Sequence, residues 1–210
     1  MLTRRKFLAS ATVAYAAANL KTLPGHASPA KNDVLQWVDP RIGTGGHGHC
    51  YPGASVPFGA MQLSPDTFNE GWDWCSGYHV SDSSIMGFSH THLSGTGAAD
   101  LLDFLVTPGV GQAKLQPGDR KDPESGYRSR FSHDTEVMSP GYYSVMLDTP
   151  KVRAELTATE RVGVHRYTFP ASDHAYILVD LLHAQANKGK STVVSAELEQ
   201  TGPDLSLIHI

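Results

Sequence analysis

Apolar and polar residues alternate most clearly in the second half of the chain. In VRAELTAT, residues 152–159, every second residue is apolar, which is typical of a strand with one buried face. YYSVMLD at 142–148 and RVGVHRYTF at 161–169 flank this run, so residues 159–161 are predicted to form a hairpin turn. TVVSAELE at 192–199 alternates again. AYILVDLL at 175–182 is apolar on both faces, which predicts a central strand.

The first half of the chain contains shorter strand-like runs between polar connections. These runs are VPFGAMQL at 56–63, SSIMGFSH at 83–90, LLDFLVTP at 101–108 and YRSRF at 127–131. Successive strands with short turns and no intervening helix favour an antiparallel sheet arrangement. The sequence therefore predicts an all-β fold, an antiparallel β-sandwich with long Gly-rich loops.

The two ends of the chain differ in character from this sandwich. Two adjacent arginines precede the apolar run FLASATVAYAAANL, which is typical of a Tat-type signal peptide over residues 1–27. We expect a linker at 28–35 and the β-sandwich domain at 36–204. The final residues 205–210, LSLIHI, resemble the conceptual translation of a sequencing-library adapter; the alternative is an ordinary apolar terminal strand. The signal indicates export to the periplasm or the extracellular space.

The charge balance limits the classes of partner. The chain has 17 basic and 21 acidic residues, and without residues 1–27 the balance becomes 13 against 21. Nucleic-acid binding requires a clustered basic surface, so we expect no nucleic-acid partner. The apolar run of the signal is too short for a stable membrane anchor, so we expect no membrane association.

Two glycine-rich segments, residues 42–67 and 71–97, interrupt the strand pattern. Glycine allows backbone conformations that other residues avoid, whereas proline restricts them, so such segments form irregular but stiff loops. Neither segment contains the lysine of a phosphate-binding loop, and Pro52 and Pro57 exclude the helix of a dinucleotide-binding motif.

The chemistry of these loops is typical of a small-ligand pocket. GWDWCSGYH at 71–79 combines indoles, a carboxylate and an imidazole, which suit the apolar face and the hydroxyls of a sugar. Either tryptophan could instead belong to the core. His90 and His92 could bind zinc, but backbone hydrogen bonding is the stronger interpretation. Asp100 and Asp103 could bind calcium, although their spacing matches no calcium loop.

Several motifs, in order, resemble the N-terminal domain of glycoside hydrolase family 92. They are VDPRIGTGG, YPGASVPFGAMQLSPDT, GWDWCSGYH, DSSIMGFSHTHLSGTGAADLLDF and SPGYYSV. The resemblance implies a calcium-dependent, inverting exo-α-mannosidase that acts on mannose-terminated glycans. It also implies that this β-sandwich packs in cis on a C-terminal (α/α)6 barrel, which supplies the catalytic carboxylates and most calcium ligands. We therefore expect no catalytic residue in this chain.

The resemblance further implies that the glycine-rich loops line the mannose pocket. The predicted substrate-binding residues are Trp72, Asp73, Cys75, His79 and His92. The carboxylates Asp66, Asp73, Asp82 and Asp100 are expected to cap turns or to bind loop amides.

Three questions stay open at this level. Cys50 stands where relatives are expected to have a small polar residue, so a disulfide with Cys75 and a buried free thiol at Cys75 are both compatible with the sequence. The chain could also be a stand-alone carbohydrate-binding β-sandwich without catalysis. A metal-binding exported protein is a further alternative, with ligands drawn from His47, His49, His79, His90 and His92.

Overall fold

The computed structural model describes residues 34–185 and 193–209. The chain divides into two units between residues 36 and 37, and the architecture below is that of the second unit. The predicted signal peptide and nearly all of the predicted linker lie outside the described residues. The regular structure of the described part consists of β-strands and short 3₁₀ turns, which confirms the all-β prediction.

Thirteen β-strands follow one another along the described chain. They are β1 (Ala54–Ser55), β2 (Gln62–Asp66), β3 (Ser84–Ile85), β4 (Gly87–Ser89), β5 (Leu105–Val110), β6 (Ser129–Arg130), β7 (Val137–Ser139), β8 (Tyr142–Leu147), β9 (Val152–Ala158), β10 (Gly163–Thr168), β11 (Ala175–Asp180), β12 (Glu197–Gly202) and β13 (Leu205–His209).

The strands form two main antiparallel sheets. The first sheet has the order β1-β2-β4-β5-β11, and the second has the order β10-β9-β8-β7. Two further pairs, β3 with β6 and β12 with β13, are separate two-stranded sheets. The second main sheet is a meander whose consecutive strands pair directly.

Alternate residues of β9, in the second sheet, are buried, as the period-two pattern predicts. Val152, Ala154 and Leu156 of β9 are at most 1% exposed, whereas the residues between them are only partly covered. Thr159 N–H donates to the Val162 carbonyl at 2.8 Å, which closes the hairpin between β9 and β10 where the sequence predicts a turn.

The hydrophobic core joins the inner faces of the two main sheets. Its buried members are Leu63, Ile85, Phe88, Phe131, Tyr143, Val145, Leu147, Ala154 and Leu156. Leu63 and Phe88 belong to the first sheet, and most of the others belong to β8 and β9. Face-to-face packing of two antiparallel sheets around such a core defines a β-sandwich. The predicted fold class is therefore confirmed.

Several of the strand-like runs differ from the observed strands, and two of the differences are informative. The run at 175–182 was expected to be a central strand, but β11 lies at the edge of the first sheet within the described residues. The run at 101–108 becomes a strand only from Leu105 onward. Leu101, Leu102 and Phe104 have φ angles of 68°, 66° and 62°, which are incompatible with extended backbone.

The two glycine-rich segments form long loops that are hydrogen-bonded to each other. Val80 N–H donates to the Thr44 carbonyl at 2.9 Å, which joins the second segment to the first. Within the first segment, a Cβ on Gly48 would lie 2.2 Å from the carbonyl oxygen of Gly43. Glycine is thus required at this close backbone approach, and the loop keeps one shape.

Candidate functional site

Trp72 and Trp74 stand in one 3₁₀ turn but have different environments. Gly71, with a φ angle of 89°, precedes the turn Trp72–Trp74. The Trp74 indole N–H donates to Asp82 Oδ2 at 2.7 Å, and the Arg120 guanidinium lies 4.4 Å from its ring. The side chain of Trp72 is instead 57% exposed. Trp74 is therefore a structural residue, and Trp72 presents its indole to solvent.

Two histidines of the first glycine-rich segment pack against Trp72. The ring centroids of His47 and His49 lie 4.9 Å and 4.5 Å from that of the indole. His47 Nδ1 lies 2.5 Å from Asp73 Oδ1, and this hydrogen bond is the main cause that lowers the pKa of Asp73. His49 is buried, and its Nε2 has no hydrogen-bond partner among the described residues. The residues His47, His49, Trp72 and Asp73 are called the Trp72 cluster below.

The end of the second glycine-rich segment completes the surroundings of this cluster. A Cβ on Gly97 would lie 2.1 Å from Trp72 Nε1, so only glycine allows the backbone to approach the indole edge so closely. Gly95 N–H donates to the His49 carbonyl at 2.7 Å, which joins the same segment to the histidines. Backbone contacts from two loops thus hold the exposed indole in place.

A buried ionic network centred on Asp66 lies within the same loops. His92 Nε2 and His183 Nε2 each lie 2.8 Å from a different oxygen of Asp66. His92 Nδ1 faces the Gln62 carbonyl at 2.7 Å, so both ring nitrogens of His92 face acceptor oxygens.

The Asp66 carboxylate keeps its charge despite complete burial. Burial alone raises the pKa of a carboxyl group. The positive charge of His92 and the hydrogen bonds from His183 and His92 outweigh this effect and lower the pKa of Asp66 to about 2. The network therefore connects β2 to the loop after β4 and to the residues after β11 by charge-assisted hydrogen bonds.

The predicted substrate-binding residues fall into two groups. Trp72 and Asp73 belong to the exposed cluster. His79 lies beside it, where its Nδ1 is 2.7 Å from Ser81 Oγ and its Nε2 is 3.3 Å from the Gly46 carbonyl. Cys75 and His92 are 1% and 4% exposed, so the surface of either side chain is closed to a ligand in this structure. Their roles in binding remain predictions.

His47 and His49 belong to the Trp72 cluster but were not among the predicted substrate-binding residues. The sequence signal was present, because HGHC stands within the first glycine-rich segment. It indicated only a metal ligand, since the contact with Trp72 depends on the packing of two loops that are distant in sequence.

The sequence analysis named the remaining histidines as possible metal ligands and the two cysteines as a possible disulfide. His90 Nδ1 bonds the Phe104 carbonyl at 2.7 Å, and His92 bonds the Gln62 carbonyl, so the two side chains join different networks. Both cysteines are free thiols, and Cys75 is buried. Burial raises the pKa of the Cys75 thiol, which keeps it protonated at neutral pH.

The residues present do not fit a calcium site on their own. Within residues 34–185 and 193–209, no group of three or more His, Cys, Asp or Glu side chains converges on a point that a metal ion could occupy. Calcium requires six to eight oxygen ligands, so these side chains alone do not supply a site for it.

Trp72 and His47 of the Trp72 cluster are exposed, whereas His49 is buried. A cavity of about 400 Å³ elsewhere is lined by Arg41, Val80, His133, Glu136, Val137 and Met138. Glu136 in that cavity accepts hydrogen bonds from Tyr78 and Tyr143 and lies 2.5 Å from His133 Nδ1, so its oxygens are already engaged. In the described part of the chain, no helix is long and apolar enough to cross a membrane.

Comparison with known proteins identifies the family. The model of the glycosyl hydrolase family 92 N-terminal domain matches residues 37–204. The chain belongs to glycosyl hydrolase family 92. A family 92 α-mannosidase from Bacteroides thetaiotaomicron, solved in complex with mannoimidazole, is 51% identical with a TM-score of 0.71. The match covers 72% of this chain and 20% of that one.

Two further relatives extend this comparison. A family 92 inverting mannosidase from the same bacterium is 31% identical with a TM-score of 0.60, over 73% of this chain and 20% of that chain. An uncharacterized secreted glycosidase from Arthroderma benhamiae is 30% identical over 177 residues, which are 80% of this chain and 22% of the relative. The chain thus spans about a fifth of the length of each of these family 92 relatives.

Proposed function

We propose that this chain forms one wall of the mannose-binding pocket in a longer, exo-acting α-mannosidase of family 92, which releases terminal mannose from glycans. The observation that carries this proposal is the exposed indole of Trp72, held between loops beside an imidazole–carboxylate pair. The 51% identity to an α-mannosidase with a bound mannoimidazole supports the substrate class.

The Trp72 cluster has the chemistry that sugar recognition requires. One face of a hexose ring carries C–H groups that pack on an aromatic ring, and its hydroxyls need hydrogen-bond partners. The Asp73 carboxylate accepts hydrogen bonds from hydroxyls, and His47 is 70% exposed and can exchange its present bond for one to the sugar. His49 Nε2 adds an unsatisfied polar atom at the buried side of the cluster.

The carboxylates of this chain are poorly suited to carry the hydrolysis itself. An inverting glycosidase uses an acid and a base about 6.5–9.5 Å apart, with a water molecule between base and sugar. Asp66 is fully buried between two histidines, and the pKa of Asp73 is lowered, which is unfavourable for a general acid. We propose that the acid, the base and the calcium ligands come from the remainder of the longer protein and that this chain alone is inactive.

The experiment compares this chain with the longer protein on an aryl α-mannoside. Turnover is expected only from the longer protein, and turnover by the 210-residue chain would refute the proposal. In the longer protein, Trp72→Ala is expected to reduce kcat/KM at least 100-fold, since an aromatic platform is lost from the pocket. Trp37→Ala is the matched control, because Trp37 is also exposed, at 81%, but lies outside the cluster.

We also propose that the protein is exported by the Tat route to the periplasm or the extracellular space. The twin-arginine pattern of residues 3–8 and the similarity to a secreted glycosidase support this. Fractionation of cells that express the protein tests it. Replacement of Arg4 and Arg5 by lysine is expected to keep the protein in the cytoplasm.

A stand-alone carbohydrate-binding β-sandwich is the second candidate function. One observation favours it: every side chain of the Trp72 cluster belongs to this chain and is already in place without a further domain. Titration calorimetry of the 210-residue chain with mannose and α-mannobiose separates the two candidates. Specific binding that Trp72→Ala abolishes, without turnover, would favour the binding module.

A further inference from the structure

Strand β10 has an open backbone edge. Within the described residues it is the outermost strand of the second sheet and pairs only with β9. Hydrogen-bonded and non-hydrogen-bonded residue pairs alternate along an antiparallel ladder, and the bond from Thr159 N–H to the Val162 carbonyl shows which pairs are bonded. The backbone groups of Gly163, His165 and Tyr167 therefore face away from β9. Such a row of free N–H and C=O groups is a template for an added strand.

Strand β11 has an uncovered apolar face. Phe88, Val106 and Val179 are opposite one another in register across β4, β5 and β11, so all three lie on the same face of the first sheet. Phe88 belongs to the core, which identifies this face as the inner one. Ile177 shares this face with Val179, yet it is 47% exposed.

The other face of β11 is covered. Leu178 packs against a second apolar cluster of Met86, Leu105 and Tyr127, and Tyr127 O–H donates to Asp180 at 2.8 Å. The sequence of β11 is apolar on both faces, but only the face that carries Leu178 is covered. The inner face carries apolar residues for which the described chain provides no complete cover.

The open edge and the uncovered face adjoin the same space. In the sandwich, β9 contacts β1 and β2, and Phe88 of β4 contacts the rings of His165 and Tyr167 of β10. The order β9-β10 in the second sheet therefore runs across the sandwich in the same direction as the order β2-β4 in the first sheet. Strands in a sheet lie about 4.8 Å apart, so the next strand beside β10 would lie under β5 and β11. There it would cover Ile177.

We propose that the slot between the β10 edge and the inner face of β11 accepts a β-strand supplied by the additional polypeptide of the longer protein. The strand would be extended, with apolar side chains at alternate positions facing Ile177 and Val179. The family 92 relatives described above are about five times as long as this chain, so ample polypeptide exists for this role. The proposal is independent of the mannosidase assignment.

A second copy of this chain fits the slot less well. The first sheet extends beyond β10 by β5 and β11. If two copies paired through their β10 edges, the overhanging strands of both first sheets would occupy the same layer and collide. A single strand without an overhanging sheet avoids this collision, and the chain's own β12 and β13 are already paired with each other.

Hydrogen–deuterium exchange tests the proposal, with the 210-residue chain and the longer protein measured side by side. Amides of Gly163, His165 and Tyr167 are expected to exchange at least 100-fold more slowly in the longer protein. The opposite edge of the same sheet, β7, serves as the internal reference. Equal exchange of the β10 edge in both proteins would overturn the proposal. Concentration-dependent protection in the short chain, with a dimer in light scattering, would also overturn it in favour of a second copy.

A pair of variants with matched exposure sharpens the test. Ile177→Lys places a charge in the slot, whereas Val164→Lys places it on the outer face of β10, and the two wild-type residues are 47% and 46% exposed. In the longer protein, Ile177→Lys is expected to remove the edge protection, because a buried unpaired charge is strongly unfavourable. Val164→Lys is expected to keep it. Retained protection of the Val164 and Arg166 amides, which face β9, verifies that the Ile177 variant is folded.

Discussion

The stability of the β-sandwich should decrease as the pH falls from 7 to 5, because a pair of half-buried histidines is held in the neutral form. His90 Nδ1 bonds the Phe104 carbonyl, which only accepts, so His90 Nε2 is an acceptor in the neutral ring. His165 Nε2 lies 3.1 Å from it, and His165 Nδ1 lies 2.8 Å from the Tyr167 hydroxyl. One neutral arrangement therefore satisfies the whole chain of hydrogen bonds.

The size of this loss in the free energy of unfolding follows from the pKa of His165. Burial, followed by the charge of His90, lowers this pKa from 6.5 to about 3, and burial lowers the pKa of His90 as well. Between pH 6.5 and pH 3, His165 is therefore protonated in the unfolded chain but not in the folded chain. Stability is thus complete above pH 6.5 and decreases as the pH falls. Between pH 7 and pH 5 this single group removes about 2 kcal/mol from the free energy of unfolding.

Urea unfolding of the 210-residue chain at pH 7, 6 and 5 measures this effect. His165→Gln is less stable at pH 7 but should lose about 2 kcal/mol less than the wild type between pH 7 and pH 5. His174→Gln is the control, because His174 is an exposed histidine in the loop between β10 and β11. If the His165 variant kept the full pH dependence of the wild type, the assignment of a half-buried neutral histidine would be wrong.

Two further substitutions test the loops around the candidate site. Asp66→Asn removes the buried carboxylate that two histidine rings contact and should lower the free energy of unfolding by about 3–5 kcal/mol, measured with urea; Asp100→Asn, at an exposed carboxylate, should have little effect. Gly97→Ala places a Cβ in contact with Trp72 Nε1 and should displace the indole, which shifts the tryptophan emission spectrum. Gly95→Ala, where an added Cβ meets no atom within 4 Å, should leave the spectrum unchanged despite its unfavourable φ angle.

The strands of the second sheet could be predicted because one physical constraint determined them. A strand with one buried face must alternate, and the bounds of β9 follow that alternation closely. Strand β11 shows the limit of this reasoning. Apolar residues on both faces predict a strand with both faces covered, but they do not say which strands are its neighbours.

The loop conformations could not be predicted from residue type. Leu101, Leu102 and Phe104 adopt positive φ angles, which bulky residues avoid unless their surroundings enforce them. Leu102 is fully buried, and Gln185 N–H donates to the Leu101 carbonyl at 2.8 Å, so contacts that are distant in sequence maintain this strained segment. Local propensity alone favours an extended run here, and that prediction was wrong.

The carboxylates of the glycine-rich loops illustrate why a site must be argued from its geometry. By sequence, Asp66, Asp73 and Asp82 are equivalent acidic residues in similar loops. In the structure, Asp66 is enclosed by two histidines, and Asp82 is bound by the Trp74 indole and the Arg120 guanidinium. Asp73 is the member of this set that stands in the exposed cluster with Trp72. Two carboxylates stabilise the loops and the third stands beside the exposed indole, a division that supports the proposed role of this chain in recognition rather than bond cleavage.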